Sequence, residues 1–90
     1  MTLTPIYTTQ FEKDLKRILK RGKSSEKIKP IIMQLIRNEP LDERYRDHKL
    51  RGNYVGRREC HIEPDWLLIY KVTATEIIFE RTGTHADLFE

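Results

Sequence analysis

The segment His61-Ile62-Glu63-Pro64-Asp65-Trp66-Leu67-Leu68-Ile69-Tyr70 decides how this chain folds. It reads as the end of one strand, a proline turn and a second strand. Residues 66–72 are apolar on both faces, which is typical of a central strand. Residues 76–81 are β-branched and aromatic, which predicts a third strand, and this strand leads into Thr82-Gly83-Thr84-His85. We therefore expect the polar residues around these strand ends to meet at one site.

The strand before the turn alternates between two kinds of side chain, as a strand does. Over residues 54–62, one face carries Arg58, Cys60 and Ile62, and the other carries Arg57, Glu59 and His61. Cys60 is interpreted as a small buried residue rather than a nucleophile. Residues 40–52 are polar and have no clean period. We expect a long loop there, and such loops in small domains are often functional.

The N-terminal residues predict a short strand followed by a helix. Residues 3–7 read as an edge strand, since Pro5 cannot donate a hydrogen bond to a ladder. Thr9 is expected to cap the helix, with Glu12 completing a capping box. The apolar stripe of this helix is Phe11, Leu15, Ile18 and Leu19, at the spacing of one helix face. Gly22 is a natural helix end.

A second helix is expected to begin at Ser24 or Ser25. Its apolar stripe is Ile28, Ile31, Ile32, Leu35 and Ile36. Pro30 conflicts with this pattern, because inside a helix it removes a hydrogen bond and strains the preceding turn. Either the regular helix begins near Pro30 or its first turn is irregular. Residues 38–41 end it.

These elements predict one α+β domain spanning residues 1–90. In the order β-α-α-β-β-β, a helical hairpin packs on one face of a mainly antiparallel four-stranded sheet. The other face of the sheet is then free to carry a site.

Composition excludes several classes of protein. The chain has 90 residues and one cysteine, so a disulfide framework is excluded, and one cysteine with three histidines matches no standard zinc pattern. It has neither the apolar run of a signal peptide nor a membrane-spanning stretch. A lone cysteine fits a reducing compartment, so we expect a cytoplasmic protein. We also expect that it has no membrane partner and no metal cofactor.

Charge is spread unevenly along the chain. Residues 1–38 hold nine Lys/Arg and three Asp/Glu, whereas residues 39–90 hold eight and eleven. The basic half suggests a polyanionic partner such as RNA, DNA or an acidic protein. The alternative is an ordinary solvated helix face.

Candidate catalytic residues gather in the second half of the chain. They are His48, His61, Asp65, Arg81 and His85. Cleavage of RNA without a metal needs a base for the 2′-hydroxyl, an acid for the leaving oxygen and a cation for the phosphate. Histidine, aspartate and arginine supply these roles. Taken singly, each residue also has a structural interpretation: Asp65 as a turn residue, and Arg81 as a partner of Glu80 or Glu59.

The longer motifs carry a resemblance to a known family. These are Asp47-His48-Lys49-Leu50-Arg51-Gly52, the run from Arg58 to Tyr70, and the run from Glu80 to Phe89. Together with the paired helices, they resemble the YafQ-type toxins of the RelE/ParE superfamily over the whole chain. The resemblance places the family's site on His48, His61, Asp65, Trp66, Arg81, His85 and Phe89.

The resemblance implies a bacterial type II toxin that cuts mRNA in the ribosomal A site, needs no metal and leaves a 2′,3′-cyclic phosphate. The implied partners are the 70S ribosome with its 16S rRNA, mRNA and a cognate antitoxin. This antitoxin is a DNA-binding autorepressor, so operator DNA is reached only through it. His85 is expected to be the acid, Asp65 or His61 the base, and His48 a positioning or proton-sharing group.

The remaining site residues are expected to bind substrate or ribosome. Arg81 would hold the scissile phosphate, Trp66 and Phe89 would shape the pocket or stack on bases, and Lys49 and Arg51 would contact RNA. Two other classes stay open. A non-catalytic toxin of the gyrase-inhibitor type would not need the three histidines, and a plain nucleic-acid-binding module would not need Asp65 beside His61.

Overall fold

The chain forms a five-stranded sheet with two long helices on one face. The elements are β1 (Thr4–Tyr7), α1 (Thr9–Lys20), α2 (Ser25–Ile36), β2 (His48–Lys49), β3 (Arg58–Glu63), β4 (Trp66–Val72), β5 (Glu76–Gly83) and α3 (His85–Phe89). Short 3₁₀ turns, Glu43–Tyr45 and Gly52–Tyr54, flank β2. This computed structural model describes residues 1–89.

The strand order in the sheet is β1-β5-β4-β3-β2. Only β1 and β5 run parallel, and the other pairs are antiparallel. The α+β class and the edge position of β1 are confirmed, but the expectation of four strands is wrong. The fifth strand, β2, lies inside the predicted loop and has two residues, which is too short to show a period. It pairs His48 with Glu59 and Lys49 with Arg58.

Strand limits differ from the prediction by more than one residue at two places. β3 begins at Arg58 rather than at residue 54, because Gly52–Tyr54 form a 3₁₀ turn. β5 continues to Gly83, with an irregular register in which Ile69 faces Arg81 and Tyr70 faces Phe79. Glu80 is the extra residue of this bulge, and an extra residue reverses the in–out alternation beyond it. Thr82 therefore points to the same side of the sheet as Phe79.

The cap of α1 is Thr8, and the expectation of a Thr9–Glu12 capping box is wrong. The Thr8 hydroxyl accepts a hydrogen bond from the Phe11 N–H at 2.9 Å. A cap of this kind stabilises a helix by roughly 1 kcal/mol. At the other end Gly22 has a φ of 100°, a left-handed conformation that glycine adopts at little cost.

Pro30 lies inside α2 instead of at its start. Ser24 caps the helix by accepting from the Glu26 N–H at 3.2 Å, and the helix continues through Pro30 to Ile36. An interior proline costs about 3 kcal/mol. Packing offsets this cost, since Ile28, Ile31 and Leu35 are all buried. No helix within residues 1–89 is long and apolar enough to span a membrane.

The two faces of the sheet differ in what covers them. Trp66, Leu68 and Tyr70 alternate along β4 and pack with the apolar side chains of α1 and α2. On the opposite face, Leu67 and Ile69 form a smaller cluster with Leu88 of α3. α3 thus covers part of this second face, and the rest stays open for a site.

Candidate active site

Asp65 and His85 form a hydrogen-bonded pair at one end of the open face. Asp65 Oδ1 lies 2.6 Å from Nδ1 of His85 and 2.8 Å from its backbone N. The β3–β4 turn presents Asp65, and the first residue of α3 presents His85, because β4 and β5 are neighbours. The hydrogen bonds from the His85 N–H and ring lower the pKa of Asp65. The carboxylate therefore holds a proton on Nδ1 and leaves Nε2 free to meet a substrate.

A second cluster lies beside this pair and is centred on Glu59. Oε2 of Glu59 is 3.2 Å from Nε2 of His48 and 3.4 Å from Nε2 of His61. The β2–β3 register sets His48 opposite Glu59, and strand alternation sets His61 on the same face. The Glu59 side chain is only 7% exposed. Its other oxygen, Oε1, has no hydrogen-bond partner among residues 1–89.

Backbone carbonyls hold the far side of both imidazole rings. Nδ1 of His48 is 2.6 Å from the Arg46 carbonyl oxygen, and Nδ1 of His61 is 3.3 Å from that of Pro64. Arg46 has a φ of 52°, a left-handed conformation that costs roughly 1–2 kcal/mol for a residue other than glycine. When Nδ1 donates to a carbonyl, Nε2 donates to Glu59 only if the ring is doubly protonated. The cluster can therefore hold and transfer protons.

The three histidines form a continuous row. Ring centroids are 6.1 Å apart for His48 and His61, and 5.9 Å apart for His61 and His85. Phe89 extends the row, 6.3 Å from His85, and meets the edge of Tyr54 at 5.6 Å. The structure thus brings together groups that donate or accept protons and an exposed aromatic ring.

Arg81 has a different partner from either expected one. Its Nε donates to Asp14 Oδ2 at 2.7 Å and its Nη2 to Oδ1 at 3.3 Å, whereas Glu80 binds Arg57 at 2.9 Å. Asp14 lies in α1 and is fully buried. The hydrogen bonds between Arg81 and Asp14 raise the pKa of Arg81. The Arg81 side chain is 25% exposed. The guanidinium is thus fixed in place and presents only part of its surface to a phosphate.

Trp66 lies in the core, away from the open face. It is fully buried, and its Nε1 donates to the Thr82 hydroxyl at 3.0 Å. The expected stacking of Trp66 on a base does not fit this position. Phe89, at 46% exposed, can stack. Lys49 and Arg51 are exposed. Cys60 is buried, which raises the pKa of its thiol.

Sequence reasoning missed three residues that support the site: Asp14, Glu59 and Asp87. Strand alternation had set Glu59 on the His61 face, and this signal was sufficient to find it. Asp14 lies three residues after Phe11 and four before Ile18, so helical spacing sets it inside the apolar stripe. Asp87 gave no comparable signal, because its role depends on Arg21, the residue that follows α1.

The Glu59 cluster also has the geometry of a metal site. Ligand atoms of His48, Glu59 and His61 lie within 4.8 Å of one another. Two imidazole nitrogens and a carboxylate oxygen suit zinc and other transition metals. Their spacing in sequence matches no standard zinc pattern, because it is the pairing of β2 with β3 that brings them together.

Comparison with known proteins identifies the family. Residues 3–90 match the family model described as a bacterial toxin of type II toxin-antitoxin system, YafQ. The chain belongs to the YafQ family of toxins. A member from Escherichia coli K12, named mRNA interferase toxin YafQ, is 50% identical over 84 residues, covering 92% of this chain and 91% of that protein.

Solved structures of similar proteins share the fold over their full length. The toxin in the Escherichia coli DinJ–YafQ toxin-antitoxin complex superposes with a TM-score of 0.93 at 46% identity, covering 100% of each chain. A metal-bound toxin from Helicobacter pylori superposes with a TM-score of 0.89 at 35% identity, covering 97% of this chain and 99% of that one. This chain therefore shares the fold of the YafQ toxin over the whole of the matched region.

Proposed function

We propose that this protein is an mRNA interferase that cuts mRNA in the ribosomal A site without a catalytic metal. Membership of the YafQ family and 50% identity to a named mRNA interferase support this activity. The observation that carries the chemistry is the row of His48, His61 and His85 on the open sheet face, with two carboxylates beside it.

His85 is proposed as the general acid. The ribose 2′-oxygen attacks phosphorus while the bond from phosphorus to the 5′-oxygen breaks, which leaves a 2′,3′-cyclic phosphate and a 5′-hydroxyl. Nε2 of His85 gives its proton to the departing 5′-oxygen. Asp65 holds Nδ1 at 2.6 Å and so fixes the direction in which Nε2 points.

His61 is proposed as the general base in preference to Asp65. Asp65 already accepts two hydrogen bonds from His85, and its lowered pKa makes it a weaker base. His61 lies between His85 and the Glu59 cluster. A proton taken from the 2′-hydroxyl can be shared with Glu59 and His48.

Charge on the phosphate is proposed to be balanced by the exposed part of Arg81. Its guanidinium is held by Asp14, so little ordering is required when substrate binds. Phe89 offers an exposed ring beside His85 for a base. Lys49 and Arg51 supply further phosphate contacts, which are sequence-independent and weaken with salt.

The remaining partners are proposed from the family and from charge. A cognate antitoxin blocks the toxin, as the solved DinJ–YafQ complex supports, and operator DNA is reached only through that antitoxin. The exposed face of α1 lines one basic surface, formed by Lys13, Lys16, Arg17, Lys20 and Arg21. This surface is proposed to contact 16S rRNA in the bacterial cytoplasm, where translation takes place.

The test is cleavage of a defined mRNA in a reconstituted translation system. Wild-type toxin is expected to cut within translated codons and to leave a cyclic phosphate, and His85→Gln is expected to lose at least a hundredfold of this rate. Lys71→Ala, at the end of β4 opposite to the Asp65 turn, is the control. Intact mRNA with wild-type toxin, or arrest of DNA gyrase with translation unaffected, would contradict the proposal.

A further inference from the structure

A groove opens beside the histidine row, and the proposed reaction uses none of its lining residues except His61. It lies between the first 3₁₀ turn, the β3–β4 turn and the start of α2, and has a volume of about 450 Å³. We propose that this groove binds one nucleotide of the RNA next to the scissile phosphate, with Arg44 and Arg46 as its binding residues. This inference rests on the proposed function, because it names a substrate subsite of the same reaction.

The groove reaches the site through His61, which is one of its lining residues. Arg46 connects the two in a second way. Arg46 lines the groove, and its carbonyl oxygen lies 2.6 Å from Nδ1 of His48. Because His61 belongs to both, the groove adjoins the place proposed for the scissile phosphate, and we infer that the next nucleotide of the strand enters it.

The charges around the groove favour an anion. Among residues 1–89, neither Arg44 nor Arg46 forms an ion pair with a carboxylate. Glu63, on the opposite wall, is already neutralised by Lys23 at 2.6 Å and Lys27 at 2.7 Å. Glu26 at the rim is the other acidic residue. The two guanidinium groups are thus left available for a phosphate.

Arg44 also provides a flat surface. Its guanidinium carbon lies 4.8 Å from the centre of the Tyr45 ring, and its Nη2 donates to the Tyr45 hydroxyl at 2.8 Å. These two contacts hold the guanidinium against the ring, and Arg44 as a whole is exposed. Nucleic-acid bases stack on guanidinium planes held in this way. The groove therefore offers both parts that a nucleotide needs, a cation for the phosphate and a plane for the base.

The experiment uses a short RNA whose 2′-oxygens are methylated, so that it binds without being cut. Backbone amide NMR signals of the wild-type protein are followed as this RNA is added, and signals of Arg44, Tyr45, Arg46 and His61 are expected to shift together. Arg44→Ala and Arg46→Ala are each expected to weaken RNA binding about tenfold. Arg44→Lys keeps the charge but loses the stacking plane, so it separates the contribution of the charge from that of stacking. Arg37→Ala is the matched control, since Arg37 is exposed, pairs with Glu39 and does not line the groove.

Cleavage of translated mRNA is measured for the same four variants. Arg44→Ala and Arg46→Ala are expected to raise the toxin concentration needed for half-maximal cleavage and to redistribute the sites that are cut, with an unchanged Tm. Wild-type values for both variants in both assays would overturn the inference, as would RNA-induced shifts confined to α1. If the groove binds RNA but wild-type toxin leaves translated mRNA intact, the proposed reaction fails while the groove assignment stands.

Discussion

Arg21, at the end of α1, donates two parallel hydrogen bonds to the carboxylate of Asp87 in α3. Nη1 lies 2.8 Å from Oδ2, and Nη2 lies 3.1 Å from Oδ1. Asp87 Oδ2 also accepts from the Thr84 N–H at 3.0 Å, and the Thr84 hydroxyl accepts from the Asp87 N–H at 3.1 Å. α3 has only five residues, too few to be stable alone, yet it carries His85 and Phe89. The Arg21–Asp87 pair therefore holds the proposed acid in position.

Asp87→Asn is expected to reduce cleavage by about ten- to a hundredfold with little change in Tm, because small displacements of a catalytic group are costly to the rate. The hydrogen bonds from Arg21 keep the pKa of Asp87 well below its ordinary value. The stabilising ion pair is thus complete above that ordinary pKa and is lost only as pH falls toward the folded pKa. The defect of the variant should be constant across neutral pH. Arg37→Ala, which removes an exposed ion pair with Glu39 instead, is the control, and unaltered cleavage by Asp87→Asn would show that α3 needs no such support.

Arg81→Ala is expected to destabilise the protein as well as inactivate it. The Asp14 carboxylate is fully buried, and without Arg81 its only charged partner among residues 1–89 is the more exposed Arg17. Removing one partner of a buried ion pair costs about 3 kcal/mol when nothing replaces it, so we expect a loss of up to that size. Urea denaturation measures this loss. Arg17→Ala removes a more exposed partner of the same carboxylate and should cost less than about 1 kcal/mol. Equal unfolding midpoints for Arg81→Ala and wild type would mean that Asp14 does not depend on Arg81.

Asp65→Asn distinguishes an orienting role from a role as base. The hydrogen bonds from His85 lower the pKa of Asp65, so its carboxylate is ionised throughout the neutral range. Its interaction with His85 is fully present above its ordinary pKa and is lost as pH falls through its lowered pKa in the folded protein. We expect Asp65→Asn to lower the cleavage rate by a similar factor at every pH from about 5 to 8. Loss of the acidic limb of the pH profile in this variant would identify Asp65 as the base.

Most of the fold was predicted correctly from the spacing of apolar residues, because that spacing depends only on residues within one helix or strand. The stripes of α1 and α2, the alternation of β3 and the double-sided β4 all follow from side-chain period. The failures involve partners distant in the chain. β2 exists only because His48–Lys49 pair with β3, and Pro30 is accepted in α2 because the buried isoleucines around it hold the helix.

The residues of the candidate site also divide into those that the sequence identifies and those that depend on partners distant in the chain. His48, His61, Asp65 and His85 were named from the sequence, and the structure brings all four to one face. Trp66 was also named, but strand alternation sends it into the core with Thr82. Glu59 and Asp14 are charged residues at buried positions, and their value depends on the histidines and on Arg81, which lie in other elements. Sequence spacing alone cannot report such pairings, because they are set by strand register and helix packing.

Zinc is expected to inhibit the toxin rather than to activate it. The ligand atoms of His48, Glu59 and His61 lie within 4.8 Å of one another, and Oε1 of Glu59 is buried without a partner among residues 1–89. A metal ion held there occupies the nitrogen atoms that the proposed proton transfers use. We expect wild-type cleavage in the presence of EDTA, loss of cleavage on adding zinc, and recovery when EDTA is added in excess.

Calorimetry with zinc alone tests the same prediction without the reaction. Glu59→Gln is expected to weaken zinc binding by at least tenfold, since it removes the anionic ligand between the two imidazoles. Asp65→Asn is the control, because Asp65 lies outside the cluster and should leave zinc binding unchanged. Cleavage that disappears in EDTA and returns with zinc would instead make the metal part of the reaction, and His61 could then no longer be the base.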